Sequence, residues 1–166
     1  HPAYQYNLGN ALAAAGMFGA AAAALAAAAE LAPTQPEVHF GLGTVLMSPA
    51  DIELDPRALV QPDVFVTAAR LRAWNDGTPL LVFIEVLSPS SARADRDIKR
   101  RRYQRAGIPE YWIVDVDARL VERWRPGDTR PEILSDSLLW EPKAGVPPLT
   151  LDLPSFFTAV HGEPAP

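Results

Sequence analysis

The chain has 166 residues, of which 48% are hydrophobic and 21% charged, enough for one ordinary folded domain or a compact core with a small appendage. A formal net charge of −5 gives no general attraction to nucleic acid. The absence of cysteine excludes a disulfide framework, a thiol nucleophile and a zinc–thiolate site, and fits a reducing cytoplasm.

His1, His39 and His161 are far apart and show neither the spacing of metal ligands nor that of a triad. The alanine-rich stretch 20–29 is too short and too weakly hydrophobic to span a bilayer, so no membrane association is expected. The chain opens on His1 rather than methionine, as a fragment would. Its positive charge is concentrated: Arg93, Arg96, Lys99, Arg100, Arg101, Arg102 and Arg105 supply seven of the fifteen Lys and Arg residues. One local patch is thereby able to meet phosphate while the rest of the surface stays acidic.

In chain order, residues 4–31 are predicted to form two helices broken near Gly16 and Gly19, because alanine has the highest helix propensity and glycine punctuates it. Leu8, Gly9, Leu12, Ala21, Leu25, Ala28 and Pro33 fall at the offsets of a tetratricopeptide repeat, and Leu42, Gly43 and Leu46 repeat the first three at a spacing of 34. One such hairpin cannot bury its own apolar face. It either continues an array of repeats that binds a protein partner or is a plain helical pair docked on the domain that follows. The boundary is placed between residues 41 and 42, with the second domain running to 162.

From residue 44 the period shortens. Thr44–Met47, Ile52–Leu54 and Val64–Thr67 read as strands separated by Pro49, Pro56 and Pro62. Leu80–Leu87 is apolar throughout except for Glu85, the pattern of a central strand buried on both faces, where a lone carboxylate is costly without a metal or hydrogen-bond network. Ser88-Pro89-Ser90-Ser91 ends that strand and opens a basic helix, which Gly107 and Pro109 close. Tyr111–Val116 and Leu120–Trp124 read as a hairpin, Glu132–Ser135 and Leu149–Leu151 as weaker strands, and Ser155–Val160 as a short final helix.

Two strand-like runs thus deliver Asp63 and Glu85, and Lys99 follows on the basic helix. Two carboxylates suit a hard divalent cation, and an ammonium stabilises charge at phosphorus, so the trio suits a metal-dependent phosphodiesterase. Each member also has a structural reading: Asp63 as a turn residue after proline, Glu85 in a buried salt bridge, Lys99 as a solvated helix charge. Asp95, one turn before Lys99, is its i,i+4 partner and a helix-terminus charge. Tyr103, Tyr111 and Trp112 are expected to pack rather than to stack on bases.

The run from Gln61-Pro62-Asp63 through Glu85-Val86-Leu87-Ser88-Pro89-Ser90-Ser91, Asp95, Asp97, Lys99, Tyr103 and Gly107 to Glu110-Tyr111-Trp112-Ile113-Val114-Asp115 resembles the Uma-two family of restriction endonucleases over about residues 43–160. The resemblance implies an α/β (α+β) restriction-endonuclease-like fold of the PD-(D/E)xK type, a mixed sheet flanked by helices, here with an N-terminal helical hairpin. It also implies a DNA endonuclease using Mg²⁺ or Mn²⁺, with Asp63 and Glu85 as metal ligands and Lys99 as the catalytic lysine. The standard lysine position, two residues after the acid, is Leu87; the resembling family carries the lysine on the next helix. Gln61, on the same strand face as Asp63, is the candidate to orient water, and Arg96, Arg100 and Arg102 are the phosphate-binding candidates. Enzymes that cut both strands commonly work as homodimers. The rival expectation is a tetratricopeptide-type protein-binding module fused to an inactive nuclease-like domain.

Overall fold

The computed structural model describes residues 38–40, 43–47, 51–55, 58–68, 77–142 and 148–161. The hairpin expected over residues 1–41 falls almost wholly outside them. Within the described residues, eleven strands and two helices follow in the order β1 (Val38–Phe40), β2 (Gly43–Met47), β3 (Ile52–Asp55), β4 (Ala58–Val60), β5 (Val64–Thr67), β6 (Leu80–Val86), α1, β7 (Glu110–Asp115), β8 (Leu120–Trp124), β9 (Glu132–Leu134), β10 (Ser137–Trp140), β11 (Leu149–Asp152) and α2 (Leu153–Val160). Helix α1 joins a π-helical stretch, Ala94–Lys99, to an α-helical one, Arg100–Arg105.

A seven-stranded sheet, ordered β1-β2-β5-β6-β7-β8-β9, forms the centre. Its neighbours are antiparallel except for β6 and β7, which run parallel. A parallel pair needs a crossover, and α1 supplies it. The sheet is therefore mixed, as expected. Short strands β1, β4 and β10 were not anticipated: three or four residues carry too little periodicity to register in sequence.

Alternation along the strands divides the core in two. Val64, Val66, Val82, Ile84, Val86, Trp112, Val114 and Val121 face one side, where the β10–β11 ribbon and α2 cover them with Leu138, Trp140, Leu149, Leu151, Leu153, Phe156 and Phe157. Phe65, Phe83, Tyr111, Ile113 and Trp124 face the other, under α1 and the β3–β4 hairpin, which contribute Tyr103, Ile52 and Val60.

Helix α1 ends on a motif legible in its sequence. Gly107 takes φ +72°, the Gly107 amide donates to the Gln104 carbonyl at 3.1 Å, and the Ile108 amide donates to the Tyr103 carbonyl at 3.1 Å. This is a Schellman closure, in which glycine supplies the left-handed residue. Tyr103 and Ile108 belong to the same buried cluster, which fixes the helix end against the sheet. Helix α2 begins more simply: the Asp152 carboxylate accepts from the Ser155 amide at 2.8 Å, with a proline in the first turn.

Candidate active site

The β5–β6 register pairs Val64 with Ile84 and Phe65 with Phe83. One residue further along this antiparallel register, Asp63 stands opposite Glu85, on the face covered by α1. The two carboxyl groups are near enough to act on each other electrostatically, and Asp63 Oδ2 accepts the Val86 amide at 2.7 Å. Glu85 is only 2% exposed.

Lys99 enters from α1. Its Nζ lies 2.9 Å from Glu85 Oε2 and 2.9 Å from Asp95 Oδ1. One turn later, the Tyr103 hydroxyl donates to Glu85 Oε1 at 3.0 Å. Asp95, Lys99 and Tyr103 follow one another at intervals of four, so one edge of the helix meets the strand carboxylates. Leu87, at the usual lysine position on the strand, is half-buried and packs against the aromatic cluster beneath α1. Asp63, Glu85 and Lys99 therefore converge, and Asp95 and Tyr103 join them. Sequence reading treated Asp95 as an ordinary helix partner and Tyr103 as packing; their shared spacing with Lys99 was the signal that ties them to Glu85.

Electrostatically the cluster is unbalanced. Burial pushes the Glu85 carboxyl up to about 8, with Lys99 opposing and Asp63 reinforcing the shift. Burial likewise raises Asp63, against the Val86 amide and Lys99. Burial works against the Lys99 charge, but Glu85 and Asp95 outweigh it and hold its pKa above the ordinary value. Tyr103 is raised by burial and by Glu85, so it acts as a hydrogen-bond donor. Three carboxyl groups thus face one ammonium. If all ionise, two negative charges remain, which a divalent cation would match. Among the described residues no three His, Cys, Asp or Glu side chains group to hold a metal by themselves. Asp63 and Glu85 offer two hard oxygen donors, the number with which Mg²⁺ is commonly held when water and phosphate complete its shell.

Lys99 and Tyr103 also line an open cleft of about 370 Å³, together with Asp51, Leu59, Gln61 and Arg102. Gln61 donates to Asp51 Oδ1 at 2.5 Å on this wall. The three arginine candidates part company. Arg102 is exposed at the cleft. Arg96, expected to meet phosphate, instead clamps α1 to the β7–β8 hairpin through Glu122 at 2.6 Å and Asp115 at 3.1 Å. Arg100 lies 4.7 Å from the Trp124 ring centroid and donates to the Gln104 side chain. Sequence spacing shows that these arginines radiate around a helix, but not which side rests on the sheet.

The family model described as "Uma2: Putative restriction endonuclease" matches residues 2–154, starting well before the motif-bearing stretch. No curated protein matches. Among solved structures the chain is similar to "a putative nuclease belonging to DUF820" from Anabaena variabilis, with a TM-score of 0.61, 16% identity, and coverage of 91% of this chain and 82% of that one. At that identity the likeness speaks for the fold, a restriction-endonuclease-like one. No helix among the described residues is long and apolar enough to cross a membrane. By a match over most of its length, the chain belongs to the Uma2 family.

Proposed function

We propose that this nuclease-like chain hydrolyses DNA phosphodiester bonds with a divalent cation, Mg²⁺ or Mn²⁺, held by Asp63 and Glu85. The observation that carries the proposal is the pair of carboxyls opposed on adjacent strands, with a single ammonium to offset them and their near neighbour Asp95. Burying such a set is costly without further positive charge. When bound, the cation supplies Lewis acidity toward the phosphate and lowers the pKa of water.

The chain's own groups divide the remaining work. Lys99 donates toward the phosphate oxygen on which charge builds, a contact worth most where water is excluded. Tyr103 fixes the Glu85 carboxyl through its hydroxyl. Gln61, on the wall of the cleft that Lys99 and Tyr103 line, orients the attacking water, and Arg102 holds a neighbouring backbone phosphate without reading sequence.

The test is plasmid cleavage with Mn²⁺, paired with thermal melts with and without the metal. Wild type should cut DNA and melt higher with Mn²⁺, since a ligand of the folded state raises its midpoint. Asp63→Ala and Glu85→Ala should each remain folded, cleave at background and lose the metal-induced shift. Cleavage retained by both variants would sink the assignment.

A further inference from the structure

We infer that Asp95 is the positioning residue of Lys99, setting where the ammonium stands rather than merely pairing with it along the helix. The inference rests on the proposed function for the role of Lys99, while the contact itself is independent of it. An ordinary i,i+4 ion pair lies in solvent and contributes only a few tenths of a kcal/mol. Asp95 is different: it is 1% exposed. Removing a carboxylate from water for one pairing costs more than a helix-surface pair returns.

The geometry shows what the burial accomplishes. Asp95 Oδ1 stands 2.9 Å from Lys99 Nζ as a close ion pair and meets hydrogen-bond geometry with no group, Lys99 included. Glu85 Oε2 approaches the same ammonium from strand β6, also at 2.9 Å. The backbone of Asp95 is itself tied to the sheet, where its carbonyl accepts from the Tyr111 hydroxyl at 3.3 Å. A lysine on a flexible four-carbon stem would follow Glu85 alone through many rotamers. Two carboxyl groups, one from the strand and one from the helix, leave it a single place between them. The ammonium they hold also lines the cleft. The π-helical stretch runs from Ala94 to Lys99 and so contains both residues of the pair. Such local widening of a helix recurs at functional sites.

The chain contains two lysines, Lys99 and Lys143, which makes amine labelling an internal comparison. Competitive acetylation in EDTA, read by peptide mass spectrometry, should show Lys99 less labelled in the native protein than in urea. Asp95→Asn, which keeps the shape and removes the charge, should raise the relative labelling of Lys99 roughly three- to tenfold. Asp95→Ser, which leaves room for water, should do the same, and melts identify which variants are folded. In DNA cleavage with Mn²⁺, the folded variants should lose kcat with KM unchanged, because Asp95 lies behind Lys99. Unchanged Lys99 labelling in a folded variant overturns the inference, as does a wild-type kcat. If the wild type fails to cut DNA while Asp95→Asn still frees Lys99, the positioning role stands and only the endonuclease reading falls.

Discussion

On one side of β6, Val82, Ile84 and Val86 meet the layer formed by β10, β11 and α2; on the other, Phe83 and Glu85 lie under α1. The first side is closed by apolar residues, among them Leu138, Leu153, Phe156 and Phe157, each at most 1% exposed. The second mixes aromatic rings with hydroxyls and charges. Phe83 meets Tyr103 edge-on at 4.9 Å, Tyr103 meets Tyr111 at 4.9 Å, and both phenols donate into the site. A period of two lets one strand serve both sides, so stability can be concentrated in one layer and uncompensated charge tolerated in the other.

Phe156 lies at the centre of the apolar layer, 1% exposed. Truncating a fully buried phenylalanine removes its transfer free energy and leaves a cavity, so Phe156→Ala should cost about 3–5 kcal/mol in urea denaturation. A loss below about 1 kcal/mol would show that the α2 layer is not where stability is held.

Glu85→Gln tests the opposite side, with the opposite sign. The folded state holds the Glu85 proton up to about pH 8, whereas an exposed glutamate releases it near 4.5. Across that window the native state binds more protons than the unfolded state, so this residue makes stability fall as pH rises. In the metal-free protein, Glu85→Gln should therefore flatten the decline between about pH 4.5 and 8. It should leave the variant more stable than wild type above pH 8, on the order of a few kcal/mol. Parallel stability–pH curves for the two proteins would remove Glu85 as the strained element of this face.

This contrast also explains what could be read in advance. Asp63 and Glu85 were legible because a carboxylate interrupting a β-branched run is conspicuous, and alternation places both on one face. The limits of β5 and β8 followed from the same pattern, and those of β6 and β7 to within one residue. Asp95 and Tyr103 were harder, since at helical spacing an acid beside a lysine has a sufficient local explanation and a tyrosine near an apolar cluster reads as packing. Their link to Glu85 is a tertiary contact, created when the crossover lays α1 across the sheet. Arg96 shows the same limit from the other direction: its clamp on Asp115 and Glu122 depends on which helix edge turns toward β7 and β8.

The smallest effects come from two arginines that a sequence cannot separate. Arg100 and Arg102 are two residues apart, so about 200° of helical rotation divides them. Arg100 rests on Trp124, where a cation–π contact contributes about 0.5–1 kcal/mol; Arg100→Ala should lower stability by that amount and leave the salt dependence of DNA binding unchanged. Arg102 faces the cleft and is exposed, so Arg102→Ala should leave the melting midpoint unchanged. It should weaken DNA binding and reduce the slope of log affinity against log salt by about 0.9, the loss of one phosphate contact. Equal salt slopes for the two variants would mean that α1 meets nucleic acid as an undivided basic rod. The division between a helix edge committed to the sheet and an edge committed to the cleft would then fail at its outermost residues, even with Lys99 held between Glu85 and Asp95.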